Sequence, residues 1–156
     1  MWAGVEFWLA VLAGVVAGYV MALATYWVEA VFGLMRLDFG HTGLQYIGGE
    51  KPGWWVVGLI FHLLDSALLG LAYAAWVWPG LPWLGIPTRT VWGDVLGGLL
   101  FGVLVWLGLA MLVAMPMLGM GVFGRLSGSA RPALFSLGLH LLFGALLGLI
   151  YIPAGR

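Results

Sequence analysis

Two histidines occupy the same place in two similar segments. Gly58 to Tyr73 reads GLIFHLLDSALLGLAY and Ser136 to Tyr151 reads SLGLHLLFGALLGLIY, identical at ten of sixteen positions without a gap, which sets His62 over His140 and Tyr73 over Tyr151. Leucine and glycine bias accounts for part of the match, but not for the paired histidines and tyrosines. Two imidazoles from opposite helices at matched depth are what a b-type haem takes as axial ligands, with small neighbours leaving room for the porphyrin. Arg125 and Arg131, together with Arg36, stand in flanking loops where guanidinium groups could pair with haem propionates. The alternative is packing alone: a histidine in lipid satisfies itself on a carbonyl or serine of a neighbouring helix.

Other residues carry narrower possibilities. Met111, Met115, Met117 and Met120 cluster late in one apolar run, and thioethers beside imidazole suit Cu(I). Methionine is equally a flexible filler of apolar gaps, and Pro116 between Met115 and Met117 fits a helix end. Asp65 is expected to be the one acid inside a membrane span, three residues after His62, where the second segment has Phe143. An acid at that depth is a functional candidate: a proton relay, a partner for His62 or a contact to another subunit, against a protonated acid hydrogen-bonded within the bundle. Glu6 and Glu29 are expected at helix ends, within reach of water. Asp38 and His41 have helical metal-pair spacing, but the glycines beside His41 argue against a regular helix there. Phosphate loops, zinc-protease helices, nucleophile elbows and nucleotide fingerprints are absent from the sequence, so an enzyme acting alone is not expected.

The elements that must position these residues follow from composition. The chain has 156 residues, 63% apolar and 8% charged, with a mean hydropathy of +1.09, so lipid is its solvent for most of its length. A hydrocarbon core of about 30 Å needs about 20 apolar residues at helical rise. Four spans are expected, Phe7 to Val28, Trp55 to Trp78, Val95 to Leu118 and Ala133 to Pro153, giving an all-α polytopic membrane protein. The first lacks the positive flank of a cleavable signal and reads as a retained helix. Glycine and proline mark the breaks at Gly48 to Gly53, Pro79 to Pro82 and Gly124 to Pro132. The longest loop, Ala30 to Gly53, mixes Phe39, Leu44, Tyr46 and Ile47 with charges, and is expected on the membrane surface or against a partner.

Tryptophans cluster at the span ends, Trp2, Trp8, Trp76, Trp78, Trp83 and Trp92 on one side and Trp27, Trp54 and Trp55 on the other, as interfacial belts do. Arg36, Lys51, Arg125 and Arg131 lie in the first and third loops against Arg89 and Arg156 opposite, which favours cytoplasmic first and third loops and outward termini in a cell membrane. Six acidic and six basic residues balance, which argues against nucleic acid as a partner. The absence of cysteine excludes disulfides and thiolate metal sites.

The matched segments extend to a repeat of one helical hairpin, residues 7–78 and 95–153. Gly14 and Gly18 fall on Gly98 and Gly102, and Phe39-Gly40 on Phe123-Gly124, with the first loop six residues longer. A hairpin returns to its starting side, so the copies are parallel, related by a pseudo-two-fold axis along the membrane normal. That predicts the second and fourth helices facing each other across the bundle, with both histidines turned inward on stripes of small residues: Gly58, His62, Ser66 and Gly70, and Ser136, His140, Gly144 and Gly148.

At GWWVVGLIFHLLDSALLGLAYAAW, GGLLFGVLVWLGLAMLVAMPMLGMG and LGLHLLFGALLGLIY the chain resembles a family of short four-helix bacterial and archaeal membrane proteins. Its members tend to carry a histidine near the start of the second and fourth helices and a methionine-rich end to the third. The resemblance implies the topology and brings no activity with it. The expected role is an accessory or structural subunit, or a homo-oligomer, of a membrane complex such as a respiratory one, with lipid and other membrane subunits or copies of itself as partners. The alternatives are a bis-histidine haem electron carrier through His62 and His140, and an ion or small-solute pathway in an oligomer.

Overall fold

Long apolar runs with few charges have one stable answer in lipid, a helix that satisfies every main-chain N–H and C=O within itself. The structure, a computed structural model that describes residues 5–32 and 39–154, is helical with no strand among the described residues. Its helices are α1 (Phe7–Phe32), α2 (Gly43–Ile47), α3 (Trp54–Ala72), α4 (Val91–Val105), α5 (Met115–Met117) and α6 (Arg131–Ile150). Helical geometry runs on past α3 to Leu84 and from α4 through α5 to Met117, giving four segments long and apolar enough to cross a membrane. The chain is a multi-pass all-α membrane protein. Arg36, Asp38, Trp2 and Arg156 lie outside the described residues.

Close packing along glycine joins the helices in pairs. Backbone approach in lipid rests on small residues, because apolar side chains gain nothing by leaving a lipid tail for a neighbouring helix. Gly14 of α1 lies against the carbonyl of Ser66 on α3, Gly18 against the Ser66 and His62 side chains, and Gly70 against the carbonyl of Ala10. In the other pair Gly98 of α4 lies against the carbonyl of Gly144 on α6, Gly102 against that of His140, and Gly148 against that of Asp94. A third seam runs between α1 and α6. The core contains Ala13, Ala17, Met21, Phe101, Leu139, Phe143 and Leu147, with Tyr73 and Tyr151 edge to face, ring centroids 6.1 Å apart. Glu6 accepts a hydrogen bond from the Ala154 N–H at 2.8 Å, tying the start of α1 to the residues after α6.

Helices α3 and α6 share no principal packing seam. The face-to-face contact of the second and fourth spans expected from the repeat is replaced by α1 on one side and an open volume on the other. Two departures from regular helix accompany that opening. After α3 the chain widens to a π-helical stretch over Tyr73–Val77 and tightens to a 3-10 stretch over Trp78–Leu84. After α4 it is π-helical from Trp106–Ala114. Both stretches lead into proline, Pro79 and Pro116, which lacks the N–H that would continue the ladder and whose ring crowds the carbonyl four residues back. Helical geometry nevertheless continues, tightened to 3-10, through Pro79 to Pro82, where a break was expected.

Residues 39–47 of the first loop pack on α3 of the same chain: the backbone of Gly58 abuts Gly40 and Gly43, and the rings of Tyr46 and Phe61 stack at 4.3 Å. Trp8, Trp83 and Trp92 are among the most exposed side chains, with Trp27 and Trp55 exposed at other span ends. Between them the exposed faces are leucine, valine and isoleucine, the surface of a lipid-facing bundle.

Candidate functional site

The volume between α3 and the π-helical stretch after α4 is a cavity of about 620 Å³. It takes in residues from all four spans and the first loop: Met21, Phe39, Thr42, His62, Asp65, Ser66, Ala72, Trp76, Val105, Leu109, Ala114, Met115, Ser136, His140 and Phe143 are among those lining it. Its rim includes Leu68, Trp76, Leu109 and Val113, all exposed on the lipid-facing surface. The cavity therefore opens sideways into the membrane. A volume of this size is within the range of about 300–1,000 Å³ that holds small ligands, and π-helical turns recur at functional sites.

Helical register brings both histidines to this cavity, and each is fixed by one ring nitrogen. His62 Nε2 donates to the carbonyl of Gly18 on α1 at 3.1 Å, while its ring stacks on Phe39, centroids 4.2 Å apart and planes 14° from parallel. His140 Nδ1 donates to the carbonyl of Ser136, one turn back in α6, at 2.8 Å. A carbonyl only accepts, so each bonded nitrogen carries the proton and the other is an acceptor lone pair. Neither remaining nitrogen has a hydrogen-bond partner among the described residues. Of the hydroxyls lining the cavity, Ser66 donates to the His62 carbonyl at 2.7 Å and Thr42 to that of Phe39 at 2.8 Å, while Ser136 Oγ stands 3.5 Å from His140 Nδ1.

This geometry treats the two histidines differently as metal ligands. An axial imidazole binds through one nitrogen while the other is held by a carbonyl or carboxylate. His140 presents Nε2 in that way, whereas His62 spends Nε2 on Gly18 and keeps only Nδ1, the nitrogen next to its own backbone. Arg125 and Arg131 are exposed and do not line the cavity. Met115 and Met117 do line it; Met111 is instead fully buried in a small cluster with Ala110 and Met115. Asp65 is exposed at the rim, one turn from His62, while its counterpart Phe143 is buried within. His41 is edge-on to Trp54, centroids 5.5 Å apart, away from the cavity. No group of three or more histidine, aspartate or glutamate side chains suited to a metal ion occurs among the described residues.

A second acid was missed. Asp94 is fully buried in the first turn of α4, so Asp65 is not alone within the spans. Its Oδ1 accepts from Trp78 Nε1 at 3.0 Å and from the Arg89 N–H at 3.2 Å, its carbonyl accepts from the Tyr73 hydroxyl at 3.3 Å, and Oδ2 is left without a partner. The available signal was Thr90: its hydroxyl accepts from the Gly93 N–H at 3.1 Å as an N-cap, which starts α4 four residues before the expected Val95. No protein-family model matches the sequence, and no curated protein or solved structure is significantly similar to it.

Proposed function

We propose that this protein is an accessory bundle of the cell membrane that holds a membrane-soluble, largely apolar ligand and works beside other membrane subunits or copies of itself. The observation that carries the reading is the cavity of about 620 Å³ opening to lipid between α3 and the π-helical stretch after α4. A regular pair of helices closing on small residues would leave no such volume. The reading of the chain as two copies of one hairpin is supported by the matching close approaches of Gly14, Gly18 and Gly70 in one pair and Gly98, Gly102 and Gly148 in the other. Outward termini rest on the distribution of lysine and arginine.

The test is organic extraction of the protein, purified from its own membrane in mild detergent, with mass spectrometry of the extract. Alongside it goes Ala72→Phe, which adds a ring where the cavity wall has a methyl. A distinct apolar compound, retained near stoichiometry by the wild type and lost from a folded Ala72→Phe variant, is the expected result. Bulk lipid alone, in equal amount from both, would overturn the reading. The accessory role predicts migration in native gels of whole membranes at a mass well above that of the purified protein.

A further inference from the structure

Charge separates one residue of the cavity lining from all the others. The neutral polar groups pick out no sign of ligand, because Tyr46, Trp76 and Ser136 bring O–H and N–H donors beside the imidazoles of His62 and His140. Asp65 brings a carboxylate, and no lysine or arginine among the described residues lines the cavity. At helical rise Asp65 stands about 16 Å from the start of α3 at Trp54, near the middle of a hydrocarbon core of about 30 Å. Its side chain is exposed there, and it has no hydrogen-bond or ion-pair partner among the described residues. A carboxylate at that depth is costly unless a cation reaches it.

The surroundings of Asp65 define the kind of cation. The way in is sideways, past Leu68 and Leu109, through lipid. A bare ion is too costly in hydrocarbon to arrive by that route, so the charge must travel inside an apolar body that spreads or shields it. The cavity of about 620 Å³ has room for such a body. Rings flank the acid along the helix axis: Tyr46, stacked on Phe61 about one turn before Asp65, and Trp76 about three turns after it, both in the cavity lining. Aromatic faces attract positive charge. We propose that the cavity takes a lipophilic monocation, an apolar amine, quaternary ammonium or phosphonium, whose charge pairs with Asp65. The inference rests on the ligand-holding reading above and adds the ligand's charge. A neutral molecule of the same shape leaves the carboxylate unpaired and an anion is repelled by it, so the site selects by sign.

The test is equilibrium binding to the full chain in nanodiscs of phosphatidylcholine, with uptake by empty discs subtracted. The probes are radiolabelled methyltriphenylphosphonium and 1,1,1-triphenylethane, which carry the same three rings and methyl group about one central atom and differ in charge. The cation is expected to bind at least about tenfold tighter than the hydrocarbon, because a desolvated charge pair contributes at least that much. Asp65→Asn keeps the shape without the charge and should abolish the preference while leaving the hydrocarbon's affinity unchanged. Asp65→Glu keeps the charge and should retain most of the preference. Ala72→Phe should weaken both probes, since it fills the cavity. The helix signal checks the fold of each variant. Equal affinity of the wild type for both probes would overturn the inference and leave an apolar ligand site standing. An undiminished preference in folded Asp65→Asn would overturn the assigned carboxylate. A preference lost in Asp65→Asn but untouched in Ala72→Phe would place the charge pair outside the cavity and overturn the site. No binding of either probe would overturn it as well, and together with an extract of bulk lipid alone it would remove the ligand-holding reading too.

Discussion

Trp78 and Asp94 are joined across the second loop, the indole Nε1 donating to Oδ1 at 3.0 Å. The Arg89 N–H shares that oxygen, and the Arg89 guanidinium stands 5.9 Å from the Trp78 ring centroid. Trp78 in turn meets Tyr151 edge to face at 6.0 Å, so one buried acid fastens the end of the first hairpin, the start of the second and the end of α6. Only Oδ2 is unsupplied with a donor. The two bonds at Oδ1 offset that cost.

The role of Asp94 as an acceptor can be separated from its charge. Asp94→Ala strands the Trp78 and Arg89 N–H groups and should cost about 2–3 kcal/mol. Asp94→Asn keeps Oδ1 and should cost less than about 1 kcal/mol on the same scale. Unfolding titrations in mixed micelles check both. Equal losses from the two substitutions would show that the charge, not the acceptor, matters.

The helix seams predict a sharp contrast between glycines. A side chain at Gly98 or Gly144 would run into the main chain of the other helix, so Gly144→Val should prevent α4 and α6 from closing and remove the folded protein from detergent extracts. Gly138 of α6 has nothing within reach of an added methyl. Gly138→Ala should therefore be neutral or stabilise by up to about 1 kcal/mol, the helix propensity difference. Thermal aggregation in detergent reads both.

The two histidines should differ in stability effects. His62 bonds α3 to α1, and interhelical hydrogen bonds in bundles of this kind contribute about 0.6–1.7 kcal/mol. His140 bonds a carbonyl of its own helix. His62→Ala is thus expected to lower stability by about 1 kcal/mol and His140→Ala by less, measured in the same micelle titration. A larger loss from His140→Ala would mean that its ring holds another helix.

Much of this architecture was legible in the sequence, for physical reasons that also mark where reading stopped. Apolar length fixes the spans, because hydrocarbon thickness does, and glycine spacing marks the close seams, because only glycine lets carbonyls of Ser66 and Gly144 approach so near. The matched segments placed His62 and His140 together, and both line one cavity. The cavity itself was not legible. Hydropathy is blind to hydrogen-bond register, so the π-helical stretch at Trp106–Ala114 read as ordinary helix, and Pro116 read only as its end. Asp94 was hidden because the span was drawn from its first unbroken apolar residue rather than from the cap at Thr90.

The fate of haem follows from which nitrogen His62 has left. Protein purified from a haem-supplied host should show no Soret band with resolved reduced α and β bands, because the Nε2 that axial ligation uses is bonded to Gly18. A sharp bis-histidine spectrum, lost in both His62→Ala and His140→Ala, would mean that His62 turns out of that bond when the ring is present.

Pro116 is the residue to change to ask what keeps the cavity open. It cannot donate to the Leu112 carbonyl, and the wide turns just before it move the chain's hydrogen bonds out of α register along the cavity wall. Pro116→Ala restores the missing N–H and should draw the stretch from Trp106 to Ala114 back to regular helix. Because the chain has no cysteine, spin labels at Leu68→Cys and Val113→Cys report on the opening without any background to remove. The distance between them should shorten in Pro116→Ala, and retention of the extracted ligand should fall with it. An unchanged distance with unchanged retention would place the cause of the opening in the packing of Trp106 and Met111 rather than in the missing hydrogen bond.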